Sequence, residues 1–187
     1  MAAWGKQNDD LQSIMYNDFF GYHRELDLKM NLHRGCMDYE PSIYPDDGSE
    51  QWKFDIAANV QTICEWQIAK VFRKAKEVVP ETDNMCYSGG VALNCVANSL
   101  VVEKQYPNMW ILPNPGDAGS SLGCAAYVGG QHLDFDSAFL GYDIKGKYPV
   151  KPVLKELLKG NLVGVANGRA EYGPRALGNR SLLADPR

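Results

Sequence analysis

Between Gln51 and Glu77, apolar residues fall at Ala57, Val60, Cys64, Ile68, Val71, Phe72 and Ala75. Gaps of three and four place them along one face of a helix of about six or seven turns, ended by Pro80 and Asp83-Asn84. The chain then alternates. Met85-Cys86-Tyr87 reads as a short buried strand. Ser88-Gly89-Gly90 turns into a second helix over Val91–Lys104, and Met109-Trp110-Ile111-Leu112 is the next strand. After Pro113-Asn114-Pro115-Gly116-Asp117 a small-residue helix runs from Ala118 to Val128. Residues 129–150 read as a connection, Val153–Leu158 as a short helix and Leu162–Ala166 as a further buried strand. Short strands alternating with helices predict an α/β layer structure. The apolar and aromatic cluster from Ile14 to Tyr22 fits a helical turn or an edge strand, and Asp38–Ser49 reads as an exposed loop.

A length of 187 residues allows one domain and part of another. Nineteen Lys and Arg against 23 Asp and Glu leave a net charge of −4, which gives no general attraction to nucleic acid or an anionic membrane. Any phosphate site must therefore be built locally. The five cysteines are scattered without CxxC spacing, which excludes a zinc ribbon and speaks against a disulfide framework. The polar, acidic start is unlike a signal peptide. No apolar run reaches the roughly 18 residues of a membrane span, so a soluble, cytoplasmic protein is expected.

Three turns have the composition of ligand sites. In Ser88-Gly89-Gly90-Val91-Ala92-Leu93-Asn94, paired glycines let backbone approach a ligand, and amides at a helix start face an anion; taken alone, a bare Gly-Gly reads first as a plain tight turn. Asn94 suits a ribose hydroxyl or a cap. In Asn114-Pro115-Gly116-Asp117-Ala118-Gly119-Ser120-Ser121, Asp117 reads as a helix N-cap or as a metal ligand beyond a strand's carboxyl end. The third stretch, Gly168 to Ser181, sets Arg169, Arg175 and Arg180 among glycines and Pro174, and arginine's planar fork matches phosphate oxygens. Gly141–Tyr148 fits G-x-x-x-x-G-K but offers Tyr148 where a P-loop needs Ser or Thr, and Pro149 follows. It is not a P-loop.

Taken in order, Ser88–Asn98, Gly116–Gly123 and Gly168-Arg169-Ala170-Glu171-Tyr172-Gly173-Pro174-Arg175-Ala176-Leu177-Gly178-Asn179-Arg180-Ser181 resemble the O-carbamoyltransferases, the family of nodulation-factor and antibiotic carbamoyltransferases. Asp55–Gln61 is similar to that family's helix before the Gly-Gly turn, and the resemblance covers about residues 15–187. It implies an actin-like ATPase (RNase H-like) domain, of which residues 1–150 would be the C-terminal half, followed by the start of a YrdC-like domain over 151–187. It also implies transfer of a carbamoyl group from carbamoyl phosphate, through ATP-derived carbamoyl-adenylate, to a hydroxyl of a small-molecule acceptor. By the same resemblance Ser88, Gly89, Gly90, Val91, Asn94, Gly116 and Gly119 contact the nucleotide. Asp117 is one ligand of iron or another divalent metal, and Arg169, Glu171, Arg175 and Arg180 grip carbamoyl phosphate or ATP phosphates.

The chain departs from the family in one respect. Members are several hundred residues long and supply an HxxxH metal pair, whereas His23, His33 and His132 here match no such spacing. The expectation is a central fragment or split subunit that needs missing enzyme segments or self-association. A non-catalytic nucleotide-binding remnant or scaffold of the same fold is the alternative. Neither nucleic acid nor membrane is expected as a partner.

Overall fold

Ser49 opens the longest helix: its Oγ accepts the Trp52 amide at 3.0 Å, which caps α2 (Glu50–Val78). The computed structural model describes residues 1–20, 47–102 and 105–186. The predicted loop over 38–46, Gly21 and Tyr22 of the aromatic cluster, Cys36, His23, His33 and the end of the predicted helix at Lys104 lie outside those residues. The described chain is mixed α/β with small sheets, and it divides into two compact units. The first comprises Met1–Met85 and Asn94–Met109, the second Cys86–Leu93 and Trp110–Arg187.

In the first unit the cluster from Ile14 resolves as part of helix α1 (Asp9–Phe20), which packs on α2. Met15, Phe19, Ile56 and Ile63 form the core, with Leu11, Tyr16, Phe20 and Trp52 against it. The 29 residues of α2 make about eight turns, slightly more than the six or seven read from spacing, and its buried face differs from that reading. Ile68 and Phe72 are buried as expected, whereas Val60 and Val71 are 39% and 47% exposed. Ile56, Asn59, Thr62 and Ile63 are buried instead. The reason is polar. Asn59 is fully buried, and its Oδ1 accepts the Asn8 amide and the Gln12 side-chain amide, each at 2.9 Å. Its Nδ2 donates to the carbonyls of Lys6 at 3.1 Å and Asp55 at 2.7 Å. With both lone pairs and both protons matched, an amide is admissible in a core, and a stripe drawn through apolar letters misses it.

The predicted helix over Val91–Lys104 is broken. A 3-10 turn (Gly90–Leu93), a single α-turn α3 (Cys95–Ala97) and a π-helical turn (Asn98–Val102) replace it. Asn94 causes the break: with φ −79° and ψ 85° it leaves helical geometry, and its Oδ1 accepts the Ala97 amide at 3.1 Å, starting a new turn.

Strands β1 (Asn84–Tyr87) and β2 (Asn108–Ile111) pair in a two-stranded sheet, and the boundary between the units falls within both. The second unit continues with a 3-10 turn (Asp117–Gly119) and helix α4 (Ser120–Gly129), which has no buried residue. The predicted connection over 129–150 contains β3 (Asp143–Ile144), antiparallel to β5 (Gly168–Arg169). Helix α5 (Val150–Leu157) precedes β4 (Val163–Ala166), which pairs antiparallel with β6 (Arg180–Leu183), Ala166 opposite Arg180. Among the described residues no helix is long and apolar enough to cross a membrane, and Cys64, Cys86, Cys95 and Cys124 are free.

Candidate functional site

The three turns singled out by composition meet inside the second unit. Gly89, with φ +105°, adopts backbone open in practice to glycine alone, and that geometry aims its N–H at the Pro115 carbonyl, 2.7 Å away. The Ser88 hydroxyl donates to the same oxygen at 3.0 Å. The first turn is thus joined directly to the second. The third turn is seated on the second at Gly173, where φ is +142° and an added Cβ would press into the Pro113 carbonyl oxygen and lie 3.1 Å from its carbon. The Tyr172 hydroxyl reaches the Gly119 carbonyl at 3.5 Å, and Phe135 meets Trp110 edge-on and Tyr172 at a tilt, with centroid separations of 6.4 and 6.1 Å. Arg175 closes the circuit: its Nη2 donates to the Leu93 carbonyl at 3.1 Å.

Ser88, Gly89, Gly90 and Val91 are all exposed, with nothing within 4 Å of a Cβ built on Gly89 or Gly90. Ligand atoms can therefore reach the backbone of this turn. Asp117 is exposed and belongs to the first turn of its 3-10 helix; Gly116 takes the N-cap position, and no side-chain cap bond is made. The capping reading of Asp117 is corrected accordingly. Gly116 is partly buried, and Gly119 is buried beneath the turn. Asn94 lies in the first unit. There its side chain exchanges hydrogen bonds with Gln61, at 2.9 and 3.2 Å, besides capping α3. The neighbouring Cys64 thiol is pushed up from its ordinary range by burial and by Glu65, against a hydrogen bond from Asn94.

Within the third turn the charged residues behave differently from one another. Arg169 has an exposed side chain with no side-chain partner among the described residues. Arg180 is engaged throughout: Nη1 donates to the carbonyls of Asn167, Gly168 and Asn179 at 3.2, 3.2 and 2.7 Å, and Nη2 to that of Tyr142 at 2.9 Å. Glu171 Oε1 accepts the amides of Leu177, Asn179 and Arg180 at 2.8, 2.8 and 3.1 Å. Partial burial pushes its carboxyl up, but the backbone amides outweigh this and bring it down to about 2. The sign follows. With the folded value depressed, the loop's stabilisation is full above the ordinary glutamate range and is lost as pH falls toward 2. Arg180 also borders an open groove of about 690 Å³ over β4 and β6.

Residues 4–126 match the family model of the carbamoyltransferase N-terminus, and residues 154–187 that of the carbamoyltransferase C-terminus. The chain belongs to the carbamoyltransferase family. The 3'-hydroxymethylcephem-O-carbamoyltransferase of Amycolatopsis lactamdurans is 33% identical over 168 residues, covering 80% of this chain and 32% of that protein. Nodulation protein U of Sinorhizobium fredii is 35% identical over 122 residues, with 57% and 22% covered. The uncharacterized protein sll1178 of Synechocystis sp. is 34% identical over 179 residues, with 79% and 29% covered. This carbamoyltransferase chain therefore spans at most about a third of the length of these relatives. The model of the N-terminus takes in the Gly89 and Asp117 turns, and the model of the C-terminus takes in the arginine turn.

Among the described residues no three His, Cys, Asp or Glu side chains gather as a metal cluster. Asp117 by itself does not fit a metal centre, so no chemical step is assigned to one. Composition missed the structural partners of the site: Leu93 and Pro115 act through carbonyls, which no side-chain motif reveals. Ser181, whose Oγ accepts the Gly178 amide at 3.0 Å, lay inside the motif but carried no charge to single it out.

Proposed function

We propose that this chain is part of an O-carbamoyltransferase that moves a carbamoyl group from carbamoyl phosphate, through ATP-derived carbamoyl-adenylate, to the hydroxyl of a small molecule. The observation that carries this reading is the joining of the three family turns in one unit, at Gly89–Pro115, Tyr172–Gly119 and Arg175–Leu93. The hydroxyl oxygen of the acceptor attacks the carbamoyl carbon, and AMP leaves with the bonding pair. Open backbone at Ser88–Val91 receives the nucleotide, beside Gly116, while the buried Gly119 supports the turn. Arg169 and Arg175 face the phosphate, where a planar fork outperforms a point charge. The folds belonging to this reading are an actin-like ATPase domain and the beginning of a YrdC-like one. A small-molecule acceptor is supported by the Amycolatopsis relative, whose name specifies a hydroxymethylcephem.

Because the chain spans about a third of that relative, turnover is expected only with the remaining carbamoyltransferase segments. The chain alone is expected to bind carbamoyl phosphate in a calorimetric titration and to carbamoylate no hydroxyl acceptor when ATP is added. Absence of binding removes the reading. Arg175→Lys is expected to weaken carbamoyl phosphate binding about tenfold although charge is kept, because the pair of parallel donors is lost; equal affinity in the same titration removes Arg175 from the phosphate site.

Asp117 is proposed, by the family resemblance, as one ligand of iron or another divalent metal that the chain alone does not hold. In the chain alone, Asp117→Ala is expected to shift unfolding by no more than about 0.5 kcal/mol, since no cap bond is lost. Metal analysis is expected to find less than one iron per chain in both forms. Stoichiometric iron lost with the carboxylate would reveal a complete centre.

A further inference from the structure

The loop from Gly168 to Ser181 has almost no regular structure to satisfy its backbone, and two side chains do that work instead. Glu171 and Ser181 together accept four consecutive amides, those of Leu177, Gly178, Asn179 and Arg180. Arg180 gathers the carbonyls of Tyr142, Asn167, Gly168 and Asn179 at the loop's base. Backbone amides converging on one oxygen form the sort of concavity that binds anions, and here those of Leu177, Asn179 and Arg180 converge on the chain's own carboxylate. The carboxylate is committed to these amides through Oε1, and its charge repels phosphate. Arg175 sits within the span that Glu171 closes, between residue 171 and the first amide it holds, and its guanidinium is docked on Leu93.

We propose that Glu171 is a positioning residue, an internal anion that presets the turn through Leu177–Arg180 and so holds Arg175 at its anchor, with Arg180 sealing the base. The pair therefore frames the loop, leaving Arg169 and Arg175 as the arginines presented to an anion. The link to carbamoyl phosphate rests on the function proposed above; the framing of the loop does not.

Residue-resolved amide exchange on the full chain tests it, with Glu171→Ala and Glu171→Gln beside the unaltered protein and formate as a probe. Losing charge-assisted acceptors is expected to speed exchange at Leu177, Asn179 and Arg180 about tenfold in the alanine variant, and less in the glutamine variant, which keeps an acceptor oxygen. Formate is expected to slow these amides again in the alanine variant alone, by filling the vacated concavity; a purely structural loss would not respond. Unchanged exchange, no response to formate, or equal acceleration of the β4 amides overturns the assignment. Carbamoyl phosphate titrated into the same proteins separates the two ideas. About tenfold weaker binding by Glu171→Ala supports the presentation of Arg175, and equal or tighter binding overturns it. If the unaltered chain binds none, the proposed function fails while the exchange data still decide the role of Glu171.

Discussion

Gly173→Ala is expected to lower the stability of the chain by about 3 kcal/mol. Two costs combine. At φ +142° an alanine leaves its allowed backbone region, and the new Cβ collides with the Pro113 carbonyl, a backbone group that cannot swing aside. Relief requires the arginine loop to lift from the turn that carries Asp117, so carbamoyl phosphate affinity is expected to fall with stability. Denaturant unfolding and the calorimetric titration read both effects. A midpoint within error of the unaltered chain would mean that the contact between Gly173 and Pro113 is not what seats the loop.

Asn59→Ala is expected to cost a similar amount, about 3 kcal/mol, for a different reason. Four hydrogen bonds vanish, and the Gln12 side chain, 3% exposed, keeps a buried donor without its acceptor. Val60→Ala next to it is the internal comparison: Val60 lies on the stripe drawn from spacing yet is 39% exposed, and its truncation is expected to cost less than about 1 kcal/mol. Thermal unfolding of the two variants side by side checks the order. If Val60→Ala is the more damaging, Asn59 is not the residue that sets the buried face of α2.

These two residues also show where the sequence was readable. The existence of α2, the strands near Cys86, Trp110 and Val165, and the three ligand-like turns follow from spacing and from glycine placement, because local periodicity and turn chemistry are local properties. The expected burial of the first and last of these strands does not hold, since β1 has no buried residue and β4 buries Val165 alone. The face that α2 buries was not legible, since it is set by Lys6, Asn8 and Gln12, far away in sequence, and its central residue is an amide. Asn94 misled for the opposite reason: a strong capper inside a helical pattern ends one turn and begins another. In the arginine turn, composition marked three arginines as equivalent, and the family resemblance added Glu171 to them. Only their hydrogen bonds separate Arg180 and Glu171, turned inward to backbone, from Arg169 and Arg175.

The oxygen of Pro115 accepts from Ser88 and Gly89 together, and this has a mechanical result. Both of its lone pairs are taken, so the peptide plane between Pro115 and Gly116 cannot rotate without breaking two bonds. The carboxylate two residues onward hangs from a bolted hinge rather than a free arm. Any molecule that draws the glycine pair from its resting place must break those two bonds or carry the Pro115–Gly116 peptide with it.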